Sequence, residues 1–155
     1  MNQAIPSTST NAPGLFRRLG AMLYDTLLVT GLLLMAIVPV VVLLGSIEGW
    51  DQIDTGSLRR NPFYIAYLLS VPVLFFVGFW KLTGQTLGMR TWRIRLMGDQ
   101  GGAVSWRAAI VRYFAAMLSW APLGLGFLWI LIDPEKLAWH DRLSHTRLIL
   151  VAKEE

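Results

Sequence analysis

Leu19 to Leu44 runs for 26 residues with a single charge, Asp25. At about 1.5 Å of rise per residue, a helix of that length spans about 39 Å, more than the ~30 Å hydrocarbon layer of a bilayer. The apolar residues form a continuous block, without the 3.6-residue spacing by which a helix buries one face and wets the other. Such a segment belongs in lipid. A secretory leader would place its charges ahead of a shorter apolar stretch, whereas Arg17 and Arg18 precede a run too long for that role, so the segment is expected to stay attached as an anchor.

Phe63 to Trp80 is a second such block, 18 uncharged residues opened by aromatics and closed by Trp80 just before Lys81. Between the two lies Gly45 to Pro62, with Glu48, Asp51, Asp54, Arg59, Arg60 and several Gly and Pro breakers, which reads as an exposed loop. Pro39, in the far third of the first span, is tolerable there because neighbouring helices can satisfy the carbonyl it frees. The 155-residue length alone suits one soluble domain, but 54% hydrophobic against 15% charged residues, gathered in blocks, does not.

From Lys81 to Arg107 there are five Lys and Arg against one Asp. Within that stretch Trp92-Arg93-Ile94-Arg95-Leu96-Met97 alternates polar with apolar before a Gly98-Asp99-Gln100-Gly101-Gly102 turn, the pattern of a short strand. Arg147 to Val151 is a second short strand, and the two are expected to pair, because a lone strand leaves its backbone groups unsatisfied. Ser105 is a plausible N-cap for a helix from Trp106. The apolar stretch from 108 to 132 is interrupted by Ala121-Pro122-Leu123-Gly124-Leu125-Gly126, so it either crosses or turns back. Strand pairing and the basic tail favour turning back. Asp133 is expected to cap a short helix led by Pro134.

The sequence therefore predicts an all-α membrane protein of two to four transmembrane helices, with spans near 19–44, 63–80 and 108–132 and a small cytoplasmic two-stranded element. Residues 1–14 read as a disordered tail, 15–152 as the membrane domain and 153–155 as a charged end. The net charge of +4 is concentrated between the apolar blocks, which is a topology signal and no nucleic-acid footprint. The amino terminus and the second loop are assigned to the cytoplasm, and the carboxyl terminus with them. With no cysteine in the chain, disulfides and thiolate chemistry are excluded. No cofactor and no metal site are expected, because His140 and His145 have only Asp141 between them as a carboxylate.

An unpaired carboxylate about 9 Å inside a span costs up to about 3 kcal/mol, so Asp25 needs a partner. Arg18, one face-repeat earlier, would extend toward the cytoplasmic headgroups. Arg112 lies six residues beyond Trp106, at nearly the same depth as Asp25, and the two are expected to pair. Such a pair reads either as a charge site for an ion or proton, or as a structural link that fixes helix packing. His140, Asp141 and Arg142 form a second polar cluster, read as an interfacial knot. Gly84-Gln85-Thr86-Leu87-Gly88 lacks the Lys and Ser or Thr of a phosphate loop and reads as a turn admitting close backbone contact. The tryptophans read as interfacial anchors or packing residues.

Arg18-x-x-Ala21-x-x-x-Asp25 opening a span, Gly84 to Arg90 followed by the Ile94-Arg95-Leu96 strand, Arg112, and a closing His140-Asp141-Arg142-Leu143 with Thr146 together resemble the RDD family of bacterial membrane proteins, over about Gly14 to Val151. The family is named for one arginine and two aspartates, which Arg18, Asp25 and Asp141 match. Ser144-His145 departs from the small residues more usual before that threonine. The resemblance implies a bacterial inner-membrane protein associated with transport of some ligand, cation/proton antiport among the associations, with Arg18, Asp25, Arg112 and Asp141 as functional polar residues and Gly84, Gly88, His140 and Arg142 in support. So few spans cannot enclose a pathway, so a homo-oligomer or a larger membrane partner is expected. The rival reading is a membrane adaptor whose basic cytoplasmic surface binds a protein or anionic headgroups. No catalytic constellation is visible.

Overall fold

The computed structural model describes residues 12–152. Residues 1–11 of the expected tail and the 153–155 end lie outside the described residues. The first span forms α1, Leu15–Glu48, a helix of 34 residues that starts earlier and ends later than its apolar core. At about 51 Å it exceeds the hydrocarbon thickness, so part of it stands in the interface. The second forms α3, Pro62–Leu82, started by Asn61, whose side chain accepts from the Phe63 and Tyr64 amides, with Pro62 in the first turn where its missing donor costs nothing. The Tyr67 hydroxyl donates to the Ala36 carbonyl at 3.1 Å, beside the carbonyl that Pro39 leaves free.

The loop between them is not wholly irregular. It contains α2, Thr55–Arg60, because Asp54 caps the Gly56 amide. A second short helix, α4, Leu87–Thr91, follows α3 and is capped by Thr86. Strands β1, Ile94–Gly98, and β2, Thr146–Leu150, pair antiparallel with Leu96 opposite Leu148. The ladder continues through the Val151 amide, which donates to the Arg93 carbonyl.

Between the strands, α5, Trp106–Trp120, is capped by Ser105 as expected and is about 22 Å long, too short to cross a bilayer alone. The chain then reverses through Leu123 and Gly124, both at positive φ, into α6, Leu125–Leu128, and a 3₁₀ turn, Trp129–Leu131, bent by 108° from α5. Since β1 precedes this segment and β2 follows it, their pairing requires the chain to return to the face it left. The third apolar segment is thus a bent helix pair, a broken span or a re-entrant hairpin. The expected Pro134-led helix is absent: Pro134 and Glu135 form a turn closed by the Lys136 amide on the Asp133 carbonyl, with Lys136 at φ +54, and helix resumes only at α7, Trp139–Leu143.

Packing is concentrated at the sheet end. Ala21, Val77, Trp80, Met89, Ile94, Leu96, Val104 and Ala109 form one buried cluster joining α1, α3, α4, β1 and α5. Farther along α1, large apolar side chains such as Leu34, Met35, Val38 and Leu43 are exposed. Water would not tolerate so wide an apolar surface, and lipid does. Two helices are long and apolar enough to cross a membrane, and a third crossing exists only if the bent pair is one span.

Candidate functional site

Four charged side chains from distant parts of the chain are buried at the sheet end. Asp141, fully buried in the first turn of α7, is clasped by two arginines. Arg18 Nη1 donates to its Oδ2 at 2.8 Å and Arg112 Nη1 to its Oδ1 at 2.5 Å, while the Ala138 amide adds a bond to Oδ2 at 2.9 Å. Arg18 also donates from Nη2 to the Lys136 carbonyl and from Nε to the carbonyl of the buried Pro13. Arg112 Nη1 reaches Thr146 Oγ1 as well, and Ser144 Oγ lies 2.7 Å from that hydroxyl. One carboxylate thus ties α1 and α5 to α7, and Arg112 carries the link on to β2 through Thr146. Burial pulls the Asp141 carboxyl upward, but Arg112, with help from Arg18 and the Ala138 amide, holds it well below the usual carboxylate range. With Asp25, the fourth of these side chains, two guanidiniums and two carboxylates balance in formal charge at this end.

The expected Asp25–Arg112 pair does not form. Asp25 accepts instead from the Thr86 hydroxyl at 2.5 Å and the Gly88 amide at 2.9 Å, so it caps the start of α4 from outside that helix. Depth along the helices brought Asp25 and Arg112 level, but depth does not fix rotation, and the tail supplies Arg112 with a nearer carboxylate. Nor does Arg18 extend to headgroups; every bond it makes points inward. The Gly84 to Gly88 turn behaves as expected. A Cβ on Gly88 would stand 2.3 Å from the Ala21 carbonyl oxygen, so only glycine lets α4 lie this close on α1. Gly84, at φ +70, accepts the Leu96 amide at 2.7 Å and locks β1 to the end of α3.

His140 is buried beside Asp141, with Nε2 3.6 Å from Oδ1, Nδ1 3.4 Å from Ser119 Oγ and its ring 4.7 Å from that of Phe127. Burial, and then the charge of Arg112, push its pKa down to about 3, so the imidazole is neutral at physiological pH. Ser119, His140 and Asp141 have the residue types of a hydrolase triad without its geometry: the Ser119 hydroxyl is fully buried and donates to the Ala115 carbonyl, and both Asp141 oxygens are taken by arginines. Arg142 lies apart from these groups. Its Nη2 donates to Asp133 Oδ1, and the Leu137 amide, followed by Arg142, lowers the Asp133 carboxyl. His145 is exposed and faces Asp99. Among the described residues, no three His, Asp or Glu side chains converge as a metal would need.

A crevice of about 320 Å³ opens between α1, α3 and α5, lined by the polar side chains of Asp25, Arg112 and His140 and by apolar ones that include Phe76, Met117 and Phe127. Trp80, read from the sequence as an interfacial or packing residue, lies inside the fold: its ring packs under the Arg112 guanidinium, 5.3 Å from Cζ to centroid, and it lines the crevice. Its Nε1–H is buried without an acceptor among the described residues. Thr86 and Trp80 are the site residues that sequence reasoning missed. A threonine ahead of the Leu87-Gly88-Met89 turn was the available N-cap signal for the first, and nothing in the sequence distinguished Trp80 from the other tryptophans.

The RDD family model matches residues 12–145, nearly the whole chain. Neither a curated protein nor a solved structure gave a match.

Proposed function

Because the chain belongs to the RDD family, we propose that it is an integral protein of a bacterial cytoplasmic membrane that takes part in moving an ion or small solute, with its amino terminus and its β1–β2 sheet in the cytoplasm. The observation that carries this reading is the crevice of about 320 Å³, lined mostly by apolar side chains with charged ones among them, within the helical part of the molecule. Pockets of this size and mixed lining are where small ligands bind, and ionisable residues inside membrane segments mark solute paths. Two spans and a hairpin cannot surround a path, so the working unit is a homo-oligomer or a complex with a larger membrane protein.

Liposome flux tests it. Purified protein is reconstituted and assayed for cation-driven proton movement and for leakage of small solutes, with Asp25→Asn and a crevice-filling Met117→Trp as comparators. Transport predicts flux in the parent chain that Met117→Trp removes while the variant stays folded. Asp25→Asn separates roles: loss of flux makes Asp25 part of the path, and retained flux makes it a helix cap. A second reading, a non-transporting adaptor, is favoured by one observation, that Arg18, Arg112 and Asp141 already satisfy one another as a structural clasp would. Absence of flux at every pH, with a stable partner copurifying, would establish that reading in place of transport.

A further inference from the structure

We propose that the crevice takes an amphiphile with a carboxylate-like anionic head and an apolar chain, the head bonding to Arg112 and Trp80. The inference rests on reading the crevice as a solute site, and adds the class of solute. Three observations support it. First, both bonds of Arg112 come from Nη1, so its Nε and Nη2 donors have no partner among the described residues, although the residue is only 4% exposed. Second, the Trp80 Nε1–H in the same wall is also without an acceptor, in a residue only 8% exposed. Third, Arg112 is a buried guanidinium that lines the crevice, where a charge-assisted hydrogen bond to an anion is stronger than one between neutral groups. Unpaired donors, one of them on a guanidinium, call for an anion that accepts hydrogen bonds.

Asp25 does not provide the matching cation site. Each of its oxygens already accepts a bond, from Thr86 and from Gly88, and among the described residues it makes no ion pair. The head is therefore assigned to the Arg112 and Trp80 donors, which line the crevice together with Asp25. The Phe76, Met117 and Phe127 walls suit a hydrocarbon chain, and Met117 is itself exposed on the outer surface of α5, which opens the crevice to such a chain there.

The test uses the full chain purified in an uncharged maltoside detergent, with radiolabelled dodecanoate as probe and dodecanoate, dodecyltrimethylammonium and dodecanol as competitors matched in chain length. Dodecanoate is expected to displace the probe at least ten-fold more effectively than the other two. Trp80→Phe keeps the ring and removes only the donor. It is expected to weaken dodecanoate binding about ten-fold, the loss of one charge-assisted hydrogen bond. Met117→Trp, which fills the crevice from its exposed wall, is expected to abolish binding and covers the case in which Trp80→Phe does not fold. Equal displacement by all three competitors, or dodecanoate binding unchanged in folded Trp80→Phe or in Met117→Trp, overturns the proposal. Selective dodecanoate binding without flux in liposomes would keep this site and remove the transport reading; cation flux without selective binding would do the reverse.

Discussion

Asp141 is the residue on which the sheet end of the molecule turns. It is buried with two arginines on it, so replacing it strands two guanidiniums in a place without water, a cost of about 3–5 kcal/mol. Asp141→Asn is therefore expected to lower the unfolding temperature in detergent far more than Asp25→Asn. The latter keeps one acceptor for α4 and costs about 1 kcal/mol. Equal losses would mean that Asp25 does more than cap. The pH dependence separates Asp141 from its neighbour His140. The folded His140 has its pKa lowered from 6.5 to about 3, so between those values the unfolded chain binds a proton that the folded chain does not. Stability must then fall on acidification from pH 6.5, by about 1.4 kcal/mol per unit. The depressed Asp141 carboxyl stabilises the fold above its unfolded pKa of about 3.9, and that contribution is lost only as pH falls below it. His140→Phe should therefore flatten the unfolding temperature between pH 4.5 and 6.5 and leave the steeper loss below pH 4 in place. A parent chain already flat across the upper window would sink this account. At this scale the sequence disclosed which residues matter, because a charge within or beside an apolar run stands out. Their partners stayed hidden, since Asp141 lies 123 positions from Arg18 and helix rotation decides which charges meet.

Among elements, the α5–α6 break holds the sheet closed by returning the chain to it. Pro122 and the glycines announced that break, but not how tightly it folds. A Cβ on Gly126 would stand 2.6 Å from Ser119 Cβ and 2.8 Å from Ser119 Cα, so α6 lies directly on the end of α5. Gly126→Ala is expected to force the two apart at a cost of about 1–3 kcal/mol, visible as a lower unfolding temperature, and Ser119→Gly in the same chain should restore part of it by removing a Cβ and a hydroxyl. Additive losses in the double variant would show that the two positions do not press on each other. The strand pair was legible because alternation over five residues is a strong signal and two lone strands need each other. The helices α2 and α4 were not, since five or six residues carry too little periodicity to read. The Pro134 segment misled for a related reason: Asp followed by Pro opens a helix and a turn alike, and the bond from the Leu137 amide to the Asp133 carboxylate made it a turn.

For the whole molecule, the sheet ties sidedness to topology. The linker after α3 and the carboxyl tail must share one side, because they contribute β1 and β2 to one ladder, while the α1–α3 loop sits at the far ends of two helices long enough to cross. Basic residues then choose the side: five Lys and Arg between Lys81 and Arg107 and four after Ile132, against two in the α1–α3 loop, favour a cytoplasmic sheet. The chain has no cysteine, so single reporters can be introduced without background. Ser57→Cys, in α2, is expected to react with a membrane-impermeant maleimide on intact spheroplasts, whereas Gln100→Cys, in the β1–α5 turn, and Ala152→Cys should react only after permeabilisation. Labelling of Ala152→Cys together with Ser57→Cys, and without Gln100→Cys, would require the bent α5–α6 segment to cross the bilayer. The strand ladder could not then exist, and the Arg18–Asp141–Arg112 clasp, which depends on the tail lying against the start of α1, would be lost with it.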